Sequence, residues 1–228
     1  MANIISIDKA IKALRSRWRR IVLQLTPKSK RFHRIYRSRY WGQNSESISG
    51  CGSTLEATRN VREQLPALLS RLDCQALLDL GCGDFNWMKN VRLECKYIGA
   101  DIVDSIIQSN NDHYACAHRT FLNLDATRST LPDGVDVVLC REVLFHLSNQ
   151  DIFRVLKNVK DSTATYFIST NIDIESENLD TFTGGYRPLN LQKPPFNFPQ
   201  PIDVIHDHGV SEDRYLCLWK VGDLHCPE

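Results

Sequence analysis

The chain has 228 residues, of which 42% are hydrophobic and 24% charged, and its formal net charge is +1. This composition is ordinary for a soluble globular protein. No stretch approaches the 18 apolar residues of a transmembrane helix, and the start of the sequence lacks the pattern of a secretory signal. The eight cysteines form no Cys-x-x-Cys pair, so we expect reduced thiols in the cytoplasm rather than a disulfide scaffold or a metal site.

The small net charge conceals two regions of opposite charge. Residues 1–40 hold twelve Lys and Arg and one acidic residue, a net +11, whereas the other 188 residues carry a net −10. The change falls near residues 40–42. We therefore predict a basic, helical N-terminal extension over residues 1–45 and an α/β domain over residues 46–228.

Apolar residues recur every three or four positions over residues 4–25, which is the spacing of one helical face. This face consists of Ile4, Ile7, Ile11, Leu14, Trp18, Ile21 and Leu25, and Pro27 ends the helix. Three interpretations stay open: packing against its own domain or a partner chain, peripheral contact with an anionic membrane, or a nucleic-acid arm. Arginines with interleaved Phe32, Tyr36 and Tyr40 support the third.

A second helix is predicted to open at the capping-box pattern of residues 53–56, and Pro66 either kinks it or begins a new helix. From residue 76, strand and helix patterns alternate, which predicts a doubly wound sheet. The expected strands are 76–80, 96–100, 120–124, 135–140 and 164–169, with a helix at 151–160 and a closing hairpin at about 202–207 and 214–221. The prolines and glycines of residues 171–201 indicate an ordered insertion or lid. The fold class is thus α/β, with a seven-stranded, mostly parallel sheet and a C-terminal antiparallel hairpin.

The most informative segment is the first strand of this domain and the glycine turn that follows it. Asp79 precedes Gly81 and Gly83, and Asp101 ends the next strand. A carboxylate at that strand end can accept hydrogen bonds from both hydroxyls of a ribose. The pair predicts a pocket for an adenosine-containing cofactor.

Other nucleotide-binding classes fit less well. The chain has no Gly-x-x-x-x-Gly-Lys-Ser/Thr segment, which argues against a P-loop NTPase. The dinucleotide fingerprint needs a third glycine where this chain has Asn86, and no Tyr-x-x-x-Lys pair is present. An adenosyl ligand without a pyrophosphate removes the need for that glycine.

The run from Leu78 to Gly83 resembles the first motif of class I S-adenosylmethionine-dependent methyltransferases, and Asp101 matches their second. Segments 49–53, 83–88 and 187–191 resemble a bacterial subgroup of undefined substrate, often encoded beside genes for surface-polysaccharide assembly. The resemblance spans residues 32–221. It implies a Rossmann-like fold, methyl transfer as the activity and S-adenosyl-L-methionine as the cofactor.

The resemblance also implies which residues contact the cofactor. Asp79 would face its cationic end, Asp101 the ribose, and Asp125 the adenine amino group. The expected cofactor-binding set is Asp79, Gly81, Cys82, Gly83, Asp101, Ile102, Asp125 and Cys140. Helix capping by Asp79 and simple turn chemistry at Asp125 are the alternatives.

Methyl transfer to a neutral hydroxyl gains from a base that removes its proton. His146 is the predicted base, because it follows the fourth strand at the pocket rim and titrates near neutral pH; a packed histidine is the alternative. Glu142 and Arg141 flank the same rim, and Arg141 either binds an acidic acceptor or forms a structural ion pair.

Several other residues are candidates for the acceptor site or for surface roles. Tyr186 and Arg187 lie in the insertion, where they can shape the acceptor site. Trp41, Trp87 and Phe196 suit either sugar stacking or the core. His206 and His208 are interpreted as surface residues, and no metal ligands are expected.

The sequence therefore predicts O-methylation of a carbohydrate or glycolipid intermediate, on a small-molecule or glycan acceptor. The expected location is the cytoplasm, peripheral to the inner face of the membrane through residues 4–25. An RNA or tRNA methyltransferase that uses residues 1–40 as a phosphate-binding arm is one alternative. A cofactor-binding module without turnover is the other.

Overall fold

The computed structural model describes residues 14, 17–18, 20–42, 46–207 and 213–225. Seven strands form one sheet in the order β3-β2-β1-β4-β5-β7-β6. The strands are β1 Ala76–Leu80, β2 Lys96–Asp101, β3 Arg119–Asn123, β4 Val137–Cys140, β5 Tyr166–Ile172, β6 Asp203–His206 and β7 Arg214–Lys220. The helices are α1 Lys28–Arg37, α2 Arg59–Arg71, α3 Asp104–Tyr114 and α4 Asn149–Lys160. Residues 20–25 are also helical.

The predicted α/β fold is confirmed. Strands β1 to β5 pair in parallel, whereas β7 pairs antiparallel with both β5 and β6. All seven expected strands are present, with bounds that differ from the prediction by at most three residues. Because β1 has β2 on one side and β4 on the other, the strand order reverses there, and a crevice opens at the carboxyl ends of these strands.

The core consists of two apolar layers, one on each face of the sheet. Successive residues of a strand point to opposite faces, so Leu78 and Leu80 pack in the layer that contains α4, whereas Leu77 packs in the layer that contains α2. Every residue of β1 and β4 is buried. Covered on both faces, these two strands hold the residues that follow them in fixed positions.

The helix expected from residues 53–56 begins later. The Thr54 hydroxyl donates to the Cys51 carbonyl and accepts from the Ala57 amide, which closes a local turn. Helix α2 therefore begins at Arg59, and it runs through Pro66 without a break, so no new helix begins there. The predicted start was wrong because residues 54–57 form a separate turn before the helix, closed by the Thr54 side chain.

The insertion contains no helix or strand between residues 173 and 202. Its backbone is attached to the turn after β4: Gly184 N donates to His146 O at 2.7 Å, and Arg187 N donates to Phe145 O at 3.2 Å. Ile172 N, at the end of β5, donates to Leu189 O at 2.8 Å. The insertion is thus held against the edge of the sheet where the crevice lies.

Among the residues described, no helix has the length and apolar character needed to cross a bilayer.

Candidate active site

A cavity of about 600 Å³ occupies the crevice at the carboxyl ends of the parallel strands, a size within the usual range of ligand pockets. Residues at the ends of β1, β2 and β4 form its floor. Its other walls come from the segment 32–41, the loop 49–53, Tyr186 and Arg214. Every expected site residue lies in the wall except Gly83 and Cys140.

The glycines of the turn after β1 are required by protein neighbours. Gly81 and Gly83 have φ of +76° and +57°, in the left-handed region that favours glycine. A Cβ on Gly81 would lie 2.3 Å from a methyl of Val143, and one on Gly83 would lie 2.2 Å from Ser49 Oγ. Both glycines belong to the expected cofactor-binding set, and the places that their Cβ atoms would take are occupied by the turn after β4 and by the loop 49–53.

Two buried carboxyl groups flank this turn. Asp101 accepts from the Gly83 amide at 3.2 Å and from the Val103 amide at 2.9 Å, and burial raises its pKa. Asp79 accepts from the Tyr97 hydroxyl at 2.7 Å, and burial raises its pKa to about 7. A carboxyl group in a cavity wall with so high a pKa is suited to a cationic ligand group that restores its charged form.

Two other expected cofactor contacts have local structural roles. Asp125 Oδ1 accepts from the amide and hydroxyl of Thr127 at 2.9 and 2.7 Å, which is the turn chemistry named as its alternative. Asp125 still lines the cavity, as do Ile102 and Cys82. Cys140 does not: its side chain is 0% exposed and packs in the α4 layer. Because Cys140 is fully packed in this layer and is not part of the cavity wall, the expectation that it contacts the cofactor is corrected.

His146 is held as a neutral imidazole with a defined tautomer. Its Nδ1 lies 2.6 Å from the Gly185 carbonyl, so Nδ1 carries the proton and donates it, and Nε2 keeps a lone pair. Burial, with help from the charges of Arg187 and Arg214, lowers the pKa of His146 to about 4. The ring also stacks on Trp41, with centroids 4.3 Å apart. The predicted base is thus deprotonated at neutral pH and rigidly oriented.

Arg141 and Glu142 are both engaged in ion pairs. Arg141 Nε and Nη2 donate to the two carboxylate oxygens of Asp207 at 2.9 and 2.8 Å, and both side chains are almost fully buried. Arg214 Nη1 donates to both oxygens of Glu142 at 2.7 and 2.8 Å. The structural alternative for Arg141 therefore describes its position better than acceptor binding.

Glu142 is placed by an uncommon backbone conformation. Its φ is +63°, a left-handed value for a residue other than glycine. Its carboxylate lies so close to Gly52 that a Cβ there would be 2.6 Å from Oε2. The conformation directs Glu142 against the loop 49–53 and towards Arg214, and such strain is often retained where a site needs it.

The segment 32–41 contributes cavity residues that sequence reasoning assigned elsewhere. Phe32, Tyr36 and Tyr40 line the cavity, and the rings of Phe32 and Tyr36 lie about 6 Å from Trp41. The Tyr36 hydroxyl donates to Ser49 Oγ at 3.3 Å, and burial raises the pKa of Tyr36. The four-residue spacing of the three rings is the sequence signal for this wall, but the same spacing also suits the nucleic-acid arm considered above.

The other candidates divide between the rim and the interior. Tyr186 is exposed at the rim, with its ring 5.9 Å from that of His146. Arg187 is buried and donates to the carbonyls of Leu144 and Leu147, so it holds the turn that carries His146.

Among the aromatic candidates, Trp87 lines the cavity, whereas Phe196 is buried against Phe153 in the core. His206 is exposed, in agreement with its interpretation as a surface residue, and His208 lies outside the described residues.

Comparison with known proteins identifies the central part of the chain. Residues 77–165 match the family model of a methyltransferase domain. No curated protein matches the sequence. The crystal structure of TnmH is 15% identical, with a TM-score of 0.56, over 72% of this chain and 56% of that chain. The mitomycin 7-O-methyltransferase MmcR is also 15% identical, with a TM-score of 0.53, over 72% of this chain and 54% of that chain.

This chain spans about half the length of these solved structures, and the likeness shows that the fold is shared. The residues present fit an S-adenosyl cofactor, because the cavity places the buried carboxyl of Asp79 for a cationic group and that of Asp101 at the end of the adjoining strand. Residues 77–165 thus match a methyltransferase domain, and the residues that line the cavity fit S-adenosyl-L-methionine.

Proposed function

We propose that this methyltransferase domain transfers the methyl group of S-adenosyl-L-methionine to an oxygen atom of a small-molecule or glycan acceptor. The observation that carries the proposal is His146, a neutral imidazole in the wall of the same cavity as Asp79 and Asp101. A hydroxyl acceptor loses a proton when its oxygen is methylated, so it needs such a base nearby. The name of MmcR, a 7-O-methyltransferase, is in keeping with oxygen as the acceptor atom.

When bound, the cofactor supplies an activated methyl group. The protein then contributes position and a proton acceptor. Asp79 binds the cationic end of the donor, and Asp101 holds its ribose. His146 Nε2 takes the proton of the acceptor hydroxyl as the oxygen–carbon bond forms, while Nδ1 stays bonded to the Gly185 carbonyl. Trp41 keeps the ring in this orientation, and a weakly basic imidazole suffices because the donor is already activated.

A carbohydrate or glycolipid acceptor suits the part of the cavity wall around His146. Aromatic rings there, those of Trp41, Phe145 and Tyr186, surround His146 within 6 Å between centroids. Ring faces of this kind pack well on the apolar faces of sugars. The proposal includes the bacterial subgroup linked to surface-polysaccharide synthesis, to which the sequence segments pointed.

We propose that residues 1–45 are a basic extension, and that the helix predicted over residues 4–25 contacts an anionic membrane. Leu14, Trp18 and Leu25 lie on one helical face and are 66%, 67% and 81% exposed. An apolar face flanked by arginines is typical of helices that lie on a membrane surface. The RNA alternative loses its stacking residues, because Phe32, Tyr36 and Tyr40 line the cavity instead.

Radiolabelled methyl transfer from the full chain into a cell-envelope extract, with mass spectrometry of the labelled product, tests the proposed function. We expect a methyl ether. A methylated nitrogen or carbon would contradict oxygen as the acceptor atom. Donor binding is measured separately by calorimetry. No binding at millimolar S-adenosyl-L-methionine would contradict both the O-methyltransferase and the RNA methyltransferase hypotheses.

A further inference from the structure

Arg214, the first residue of β7, is a buried cation in the cavity wall that the protein leaves partly unsatisfied. Its side chain is 5% exposed. Nη1 donates to both oxygens of Glu142, but Nε is buried and has no hydrogen-bond partner among the described residues. Leaving a charged donor buried without an acceptor is costly. An acceptor group supplied by a ligand would remove that cost.

A comparison with Arg141 shows which donor of the guanidinium is left without a partner. Arg141 uses Nε and Nη2, two parallel donors on one edge, to bind the two oxygens of Asp207. This edge is the fork that matches a carboxylate or a phosphate. In Arg214 the Glu142 pair is made from Nη1 instead, so the Nε of the fork is left for another oxyanion.

The position of Arg214 assigns it to the acceptor side of the cavity. It pairs with Ile172 at the end of β5, beyond β4, whereas Asp79 and Asp101 lie at the ends of β1 and β2. Its guanidinium carbon lies 5.5 Å from the centre of the Phe145 ring, next to His146 in the chain. A group bound to Arg214 would therefore lie near the proposed base and away from the ribose end of the donor.

Glu142 acts here as a positioning residue. Its left-handed backbone and its close approach to Gly52 fix the carboxylate, and the carboxylate fixes Nη1 of Arg214. The pair keeps the guanidinium from turning towards another partner and neutralises one charge. The Nε–H of Arg214 thus remains as a donor of fixed direction, whereas the charge of the guanidinium is balanced by Glu142.

We propose that Arg214 binds a carboxylate or phosphate group of the acceptor and so directs the acceptor hydroxyl towards His146. This inference rests on the proposed function, since it names the substrate class of that same site: an acidic or phosphorylated small molecule or sugar rather than a neutral one. Arg214, which belongs to no motif of the sequence, thus takes the role considered for Arg141.

The test measures binding to the full chain saturated with S-adenosyl-L-homocysteine. Calorimetric titrations with D-glucuronate, D-glucose 6-phosphate and neutral D-glucose separate a carboxylate from a phosphate and both from an uncharged ring. We expect one of the two anions to bind at least tenfold more tightly than glucose. Equal affinities, or no binding of either anion, would overturn the proposal.

Arg214→Lys keeps a positive charge beside Glu142 but has no Nε–H, so the preference for the anion should fall at least tenfold. The control is Arg71→Lys, an arginine that pairs with Asp203 outside the cavity, which should change nothing. Affinity for S-adenosyl-L-homocysteine should stay unchanged in both variants, which also shows that they are folded. An unchanged anion preference in Arg214→Lys, or a loss of its nucleoside affinity, would contradict the inference. Because these measurements need no turnover, they are independent of whether oxygen is the methylated atom.

Discussion

His146 shows how a single side chain can be prepared for one direction of proton transfer. The Gly185 carbonyl fixes the proton on Nδ1, and burial disfavours a second proton, so Nε2 is a free acceptor across the neutral pH range. A histidine at its ordinary pKa would be mostly protonated below about pH 6.5, and the protonated fraction cannot act as a base. His146 is therefore a weaker base than an ordinary histidine, but its Nε2 stays unprotonated across the neutral pH range.

This arrangement predicts the behaviour of His146→Asn. The asparagine amide can still donate to the Gly185 carbonyl but offers no basic nitrogen, so we expect the methyl-transfer kcat to fall about 10²-fold or more. Donor affinity should change little. His118→Asn, at an exposed histidine, is the control and should match the unaltered protein. An unaltered kcat in His146→Asn would rule out His146 as the base.

The same assignment predicts the pH profile of kcat at saturating donor. The lowered pKa means that His146 gains its proton only near pH 4, so the rate should be flat from neutral pH down to about pH 5. Initial rates measured across this range check it. A decline centred near pH 6.5 would show a histidine with an ordinary pKa instead.

Asp79 predicts a proton release on donor binding. Its pKa of about 7 means that the carboxyl is largely protonated at pH 6 in the free protein. A cationic group beside it favours the ionised form and lowers that pKa, so the proton leaves. Calorimetry at pH 6 in buffers of different ionisation enthalpy should show close to one proton released per donor bound, and none at pH 9. Asp79→Asn should abolish the release; release that persists in this variant would place its source elsewhere.

At the residue scale, the sequence predicted which residues lie at the site better than it predicted their hydrogen-bond and ion-pair partners. Asp79, Asp101 and His146 follow strand patterns, so their positions at the crevice were predictable. The partners of Arg141 and Glu142 lie 66 and 72 residues further along the chain. Such pairings depend on the order of strands in the sheet, which local patterns do not encode. Arg214 was missed for this reason.

At the element scale, burial explains what could be predicted. Strands β1 and β4 are buried on both faces, and their apolar runs are long enough to indicate their type and approximate bounds. The start of α2 was missed because Thr54 serves a local turn. The role of α1 was missed because an aromatic helix face has the same spacing whether it binds nucleic acid or closes a cavity. Contacts between distant elements decide between these cases.

The turn after β1 and the loop 49–53 form one packed unit, and the glycines allow a matched test of it. Gly83→Ala introduces both left-handed strain and a clash with Ser49 Oγ, whereas Gly134→Ala introduces strain with no atom within 4 Å of the new Cβ. We expect the second to lower the unfolding free energy by about 1–2 kcal/mol and the first by clearly more.

Urea unfolding of both variants measures the difference. Ser49→Gly added to Gly83→Ala should restore the part of the unfolding free energy that is lost to the clash, since it removes the Ser49 hydroxyl. Equal losses in the two single variants would show that the loop is not packed against the turn.

At the scale of the whole molecule, the charge asymmetry and the cavity belong to one arrangement. The basic segment of the sequence ends in α1 and Trp41, which form part of the cavity wall. Arg31 of α1 holds this segment to the insertion by donating to the Thr183 carbonyl at 2.9 Å. The membrane contact proposed for residues 4–25 would place the cavity close to an acceptor held in the lipid headgroup region.

This arrangement predicts that the chain binds vesicles of phosphatidylglycerol but not those of phosphatidylcholine, because both apolar insertion and charge attraction are needed. Replacing Leu14, Trp18 and Leu25 together by Gln removes exposed apolar area without touching the buried core, and should reduce co-sedimentation at least tenfold while donor affinity stays unchanged. Raising the salt concentration should weaken binding of the unaltered chain. RNA binding would show the same salt dependence but would not respond to the three substitutions, and a helix face that joins two copies of the chain would change the sedimentation velocity without any vesicle present. Binding that is retained by the triple variant, or that is equal for both lipids, would contradict a membrane-facing helix.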